Sequence, residues 1–244
     1  MRRLVTLTGA DRLDFLQGLV TNDVLRLTAR GIVYAALLTP QGKYLADFFV
    51  VNTGAELLLD LPESLADATL RRLAMYRLRA DVQLTPSALM VSLGLGAAPE
   101  GALPDPRHLA LGWRRYGPVC ETDPGDRDAL RVEYLIPETL IELLPDETFI
   151  LEAGFERLNG VDFGKGCYVG QEVTARMKHK TELRKGLVRL RISGEAPVGT
   201  AILTADGREA GTLYTRSGDR ALAQMRFERM RGALSAGSAQ LEAE

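Results

Sequence analysis

Lys165-Gly166-Cys167-Tyr168-Val169-Gly170-Gln171-Glu172 is the stretch on which the reading of this chain turns. It ends a loop, residues 160–170, that holds four glycines and opens onto a helical segment predicted over 169–177. Cys167 lies just ahead of that helix. Unpaired amide N–H groups at a helix N-terminus favour an anion, and so a thiolate over a thiol. Lys165 precedes the cysteine, and Arg176, Lys178 and Lys180 follow within a short stretch. If these cations fold back toward the sulfur, they favour the thiolate further. Gly166 and Gly170 permit torsions and close ligand approach that a side chain blocks. Against this stands the commonest use of a lone cysteine, a small buried hydrophobe. On the functional reading, Cys167 is more accessible and more reactive than Cys120.

Upstream, residues 32–38 and 44–51 are β-rich and flank Thr39-Pro40-Gln41-Gly42-Lys43. There proline presets one turn dihedral and glycine supplies the other, which predicts a hairpin. A short helix is predicted over 11–20, capped by Thr8 or Asp11, a third strand over 56–61, a helix over 63–76 behind Pro62, and a strand over 81–85. Strand–strand–helix–strand is an α+β pattern with an antiparallel sheet, not a dinucleotide-binding series. Residues 94–106 read as an exposed loop, 108–113 as a strand and 129–136 as a short helix. Beyond Arg184 the texture changes. Short β-like runs at 186–192, 200–204, 208–215 and 221–226, parted by turns, predict a small antiparallel barrel. A boundary near 181–186 divides residues 1–182, two interleaved α+β subdomains, from a barrel domain over 183–244. The last dozen residues, rich in Ala and Ser, are expected to fray.

Composition excludes several classes. With 46% hydrophobic and 25% charged residues, disorder is not the default. A net charge of −2 provides no bulk attraction to nucleic acid or anionic membrane, and neither is an expected partner. No apolar run is long enough to span a bilayer or serve as a signal peptide, so a cytoplasmic protein is expected. Two cysteines make neither a disulfide framework nor a CxxC metal site. Nor do two thiolates suffice for an iron–sulfur cluster, which needs four ligands, usually cysteines, so no stable cluster of its own is expected. His108 and His179 are too scattered for a zinc site. Trp113 and Tyr116 are read as core or loop anchors.

The stretch from Lys165 to Glu172 matches, position by position, the KGC[YF]xGQE signature of the YgfZ-type, folate-binding relatives of the glycine-cleavage T-protein. That group includes a mitochondrial assembly factor for four-iron, four-sulfur enzymes. Leu7-Thr8-Gly9-Ala10-Asp11, Phe15-Leu16-Gln17-Gly18, Thr21-Asn22-Asp23 and Leu38-Thr39-Pro40-Gln41-Gly42-Lys43 are similar to other parts of the group's sequence. Glu152-Ala153-Gly154 aligns with an EAG stretch of the superfamily. The resemblance implies a T-protein-like fold with antiparallel sheets. It also implies tetrahydrofolate or a derivative as cofactor, and iron–sulfur assembly proteins or client enzymes as partners. Aminomethyltransferases of the superfamily generally lack the cysteine.

By the same resemblance, Glu133, in Arg131-Val132-Glu133-Tyr134-Leu135, is the candidate carboxylate for the pterin edge, with Arg131 beside it. Asp47 resembles a second acidic position near the reactive folate nitrogen. Lys165, Gly166, Tyr168, Gly170, Gln171 and Glu172 complete the expected binding set, and Cys167 is the reactive residue, a nucleophile or a transient ligand shared with a partner. Two positions depart from the pattern, since Leu135 and Thr181 stand where glycine is usual. The expected function is a folate-binding accessory protein for assembly or repair of iron–sulfur enzymes. The alternatives are a tetrahydrofolate-dependent one-carbon transferase and an interaction module with a vestigial folate pocket.

Overall fold

The turn at residues 39–43 starts the main sheet. Thr39 N–H donates to the Lys43 carbonyl at 2.8 Å and Gly42 N–H to the Thr39 carbonyl at 2.9 Å. Gly42 adopts φ +76°, a conformation that glycine takes without steric cost. In this computed structural model, which describes residues 1–28, 31–180 and 182–244, the first third of the chain runs as follows. Strand β1 (Arg2–Thr8) leads into helix α1 (Arg12–Gln17). The hairpin β2 (Ile32–Leu38) and β3 (Tyr44–Asn52) follows, then β4 (Leu57–Pro62), helix α2 (Glu63–Arg77) and β5 (Gln83–Pro86). The five strands pair antiparallel in the order β2-β3-β4-β1-β5.

Successive side chains of a strand point to opposite faces, and here both faces of the sheet are covered. Ala35, Leu37, Phe48 and Val50 pack with Leu16 of α1 and with Ala66 and Leu73 of α2. Tyr34, Ala36, Leu38 and Phe49 pack on the other face with Leu143, Ile150, Leu151 and Phe155, supplied by a later part of the chain. This explains why residues 32–38 and 44–51 read as near-continuous apolar runs. Strand β1 was not expected, although its apolar Leu4, Val5 and Leu7 are buried. It is the strand between β4 and β5, and so completes the sheet.

A second, three-stranded sheet, ordered β6-β8-β7, is formed by β6 (Met90–Gly94), β7 (Leu103–Pro104) and β8 (Trp113–Gly117). The loop expected over 94–106 therefore carries a short strand. The strand expected over 108–113 is instead a 3₁₀ turn, Leu109–Leu111, because the His108 side chain accepts from Ala110 N–H and caps it. Helix α3 (Arg127–Tyr134) is capped by Asp126, whose carboxylate accepts from Ala129 N–H at 2.9 Å. Asp11 makes no such cap for α1; its carboxylate accepts from Asp81 N–H at 2.8 Å instead. Helix α4 (Gln171–Lys180) precedes the C-terminal unit. Thr181 lies outside the described residues.

The last unit is a closed barrel of β9 (Lys185–Ser193), β10 (Ala201–Thr204), β11 (Glu209–Ser217), β12 (Arg220–Arg226), β13 (Leu234–Ala236) and β14 (Ala239–Ala243). The expectation that the last dozen residues fray is overturned. Leu234, Ala236, Ala239 and Leu241 are buried in the barrel core, and Gly237 at φ +57° turns the chain between them. β14 pairs with β9 and β13 with β10, so these two strands close the barrel and leave no free edge.

Leu135 is the C-cap of α3 in the left-handed conformation, φ 54° and ψ 46°, which glycine adopts without strain. A left-handed L-residue costs roughly 1–2 kcal/mol, partly offset by the larger backbone entropy that glycine loses on folding. Leu135→Gly is therefore expected to stabilise the protein by about 0.5–1 kcal/mol, or ~1–4 °C in Tm. A differential-scanning melt checks this, and a lower Tm contradicts it.

Candidate functional site

The loop before α4 is held at both ends and free in the middle. Lys165 is buried, with its ammonium donating to the carbonyls of Gln17 (2.7 Å) and Val20 at the end of α1. Burial pushes its pKa down to about 8, against the opposing pull of Asp23 and Asp162. Asp162 also forms the turn before it, its carboxylate accepting from Gly164 N–H at 2.6 Å. Tyr168 is buried in the core under β2 and β3, with its ring centroid 4.9 Å from the Lys165 ammonium. Burial raises the Tyr168 phenol to about 12. Val169 N–H donates to the Gly18 carbonyl, again at α1.

Gly170 then packs on the hairpin turn. At φ +85°, an added Cβ would lie 2.6 Å from the Thr39 carbonyl oxygen and 2.9 Å from Leu38 Cβ. A side chain at Gly42, on the turn itself, would meet Val173 at 2.9 Å. The hairpin and the start of α4 thus interlock through two glycines. Gly166 differs, because an added Cβ there would meet nothing within 4 Å. Packing does not require glycine at 166. The pattern is buried Lys165, exposed Gly166, exposed Cys167, buried Tyr168. Cys167 stands on a two-residue tip whose flanks are pinned.

Two of the four cations, Lys165 and Lys178, are engaged away from the sulfur. Lys165 points inward to α1, and Lys178 pairs with Glu156 at 2.5 Å. Gln171 and Glu172 form the first turn of α4, where Glu172 is exposed. Among the described residues, no group of three His, Cys, Asp or Glu side chains could hold a metal ion.

The other carried-over residues each have partners of their own. Asp47 is buried on β3 and accepts from the hydroxyls of Tyr34 (3.0 Å), Tyr44 (2.6 Å) and Thr139 (2.6 Å). The Arg131 guanidinium reaches Asp128 (2.9 Å), buried Glu142 (2.5 Å) and Thr215 of β11 (3.0 Å). Glu133 is exposed on α3 and binds Arg220 of β12 at 2.6 Å and Arg189 of β9 at 3.2 Å. Arg131 and Glu133 thus fasten α3 to the barrel. A pterin edge needs a carboxylate free to accept two hydrogen bonds. Glu133 already has two guanidinium partners, and Asp47 already has three hydroxyl donors. As arranged, these residues do not fit tetrahydrofolate.

One polar cluster escaped the sequence reading. Asp60 on β4 is fully buried and receives Arg2 (2.6 Å), Arg114 (2.5 Å) and the Tyr116 hydroxyl (2.9 Å). Arg114 also reaches Asp105, which pairs with buried Arg107 at 2.8 Å. Burial pushes the Asp60 carboxyl up, but Arg2 and Arg114 outweigh it and hold it below the usual range. The network joins the two sheets through Arg114 and Tyr116 of β8, the latter read from the sequence only as a core or loop anchor. Charged residues on strands were its only signal.

Comparison with known proteins agrees with this architecture. Residues 184–244, the barrel, match the model of the CAF17 C-terminal beta-barrel domain. The mitochondrial iron–sulfur cluster assembly factor IBA57 of Mus musculus is 32% identical over 279 residues, covering 96% of this chain and 78% of that protein. The chain belongs to the IBA57 family. The Homo sapiens IBA57 protein is 31% identical over 278 residues, with the same coverage of both chains. Among solved structures, the glycine cleavage system aminomethyltransferase T of Bartonella henselae superposes with a TM-score of 0.77. At 15% identity, over 98% of this chain and 81% of that one, the likeness shows a T-protein-like fold. The IBA57 relatives are mitochondrial proteins, which overturns the expectation of a cytoplasmic one.

Both cysteines are exposed, but only Cys120 has a hydrogen-bond partner among the described residues, with its thiol 3.3 Å from the Val91 carbonyl. Alkylation of Cys120 must first break that contact, whereas alkylation of Cys167 need not. Iodoacetamide at neutral pH, followed by peptide mapping, is therefore expected to label Cys167 at least several-fold faster than Cys120. Faster labelling of Cys120 contradicts this reading of the tip.

Proposed function

We propose that this chain is an accessory protein of iron–sulfur cluster assembly, presenting Cys167 to a partner protein as a transient thiolate ligand. The observation that carries the reading is the exposed cysteine on a tip pinned by Lys165, Tyr168 and Gly170. The 32% identity to a mouse protein named as an iron–sulfur cluster assembly factor supports it. The cluster is cargo here. One thiolate satisfies one of the four ligands that a cluster normally takes, and the rest come from the partner. Binding iron requires loss of the thiol proton, so an exposed sulfur able to give its proton to solvent suits the role.

A body that binds tetrahydrofolate is the second reading, and the T-protein-like fold favours it. The internal pairing of Asp47, Arg131 and Glu133 weighs against a site built on those residues. The interaction-module reading needs no rearrangement of these contacts, and we prefer it to one-carbon transfer.

Cells that lack the protein are expected to lose activity of some cluster-dependent enzymes and to regain it with wild type. Cys167→Ser at natural expression is expected to fail while melting within about 2 °C of wild type, since exposed substitutions change stability by at most ~0.5 kcal/mol. Cys120→Ser is expected to rescue. Full rescue by Cys167→Ser contradicts the proposal.

A further inference from the structure

The second half of α2 carries positive charge that none of the contacts above uses. Residues 68–80 contain four arginines, Arg71, Arg72, Arg77 and Arg79, and no acidic residue, in a chain of net charge −2. Arg71, Arg77 and Arg79 are exposed. Among the described residues none of the four makes an ion pair, whereas Arg3 of β1 is paired with both Glu63 and Asp67 and lines the groove described next. Beside them, between α2 and the edge strand β5, runs a groove of about 390 Å³. Its floor is Val5, Leu70, Ala74 and Leu84, and Arg71 and Arg77 stand at its rim. Past the rim Met75 is 72% and Leu78 88% exposed, and Leu78 holds a strained φ of 45°.

An apolar floor wants apolar side chains, and a rim of guanidiniums wants carboxylates, which arginine engages in bidentate pairs. Exposed methionine and unpaired arginine are both enriched at protein interfaces. The groove has no aromatic lining residue to stack a base. Its apolar surface is concave between the charges and does not protrude as a membrane-inserting face does. We propose that this groove docks an acidic, leucine-bearing polypeptide segment of a partner protein, at a site separate from the Cys167 tip.

The test uses the full chain and a fluorescein-labelled synthetic peptide of about 16 residues, glutamates with leucine at every third or fourth position. Fluorescence anisotropy is expected to give saturable binding, weakened at least tenfold between about 50 and 300 mM salt as charge is screened. The triple variant Arg71→Glu/Arg77→Glu/Arg79→Glu is expected to bind at least tenfold more weakly, and Ala74→Glu, on the floor, to weaken binding while keeping the wild-type melt. An all-glutamate peptide is expected to bind at least tenfold more weakly than the leucine-bearing one. The proposal is overturned by no saturable binding, by equal binding of wild type and triple variant, or by equal binding of the two peptides. Tighter binding of phosphatidylserine vesicles or duplex DNA than of the peptide overturns it as well.

Discussion

The ammonium of Lys165 is buried against two backbone carbonyls at the end of α1, and the exposed tip depends on that contact. A buried cation is costly unless it is paired or hydrogen-bonded. Two carbonyls, with Asp23 and Asp162 near, offset the cost without removing it, as the pKa of about 8 records. The sign follows directly. Because the folded pKa lies below that of a free lysine, this group destabilises the fold below about pH 8, and the penalty fades as the pH rises toward 10.5. Its contribution is placement. With Lys165 and Tyr168 pulled inward, Gly166 and Cys167 are left outside, and the position of the sulfur is set by the body of the protein.

The same economy of buried polar groups holds the three structural units together. Asp60 joins β1 to β8 by receiving Arg2, Arg114 and Tyr116. Glu142 joins α3 to the barrel by receiving Arg131, the Thr215 hydroxyl and Thr215 N–H. Removing one partner of such a pair leaves an uncompensated buried charge, at about 3–5 kcal/mol. The Arg131–Glu142 pair therefore matters to the fold whatever else Arg131 does, and the exposed Glu133 pairs add orientation more than stability.

How much of this was legible in the sequence depends on whether the signal was local. The turn at Thr39–Lys43, the strands beside it and the glycine-flanked Cys167 rest on local chemistry, and the structure has them where the residues put them. Strand β1 was missed because Leu4, Val5 and Leu7 make a short apolar run whose partners, β4 and β5, come some fifty or more residues later. Strands β13 and β14 were missed because small residues look like a tail. Ala236 and Ala239 are small because they face the barrel interior, which becomes visible only once the barrel closes. The inward course of Lys165 was not legible, since its acceptors lie at the end of α1 and just after it, 148 and 145 residues away in sequence. Nor could an alignment of Glu133 reveal Arg189 and Arg220 opposite it. Leu135 was legible as a departure from glycine, and its left-handed backbone gives that departure a physical meaning.

The central claim is that Lys165 fixes the tip mechanically. Hydrogen exchange on Lys165→Met, which keeps the aliphatic stem and removes the donor, tests it most directly. Leaving two carbonyls without their donor costs about 1–3 kcal/mol locally. Amides of residues 166–170 are therefore expected to exchange at least tenfold faster than in wild type, while the barrel strands β9 to β14 keep their protection. Unchanged exchange across 166–170 in a folded Lys165→Met protein would contradict the account.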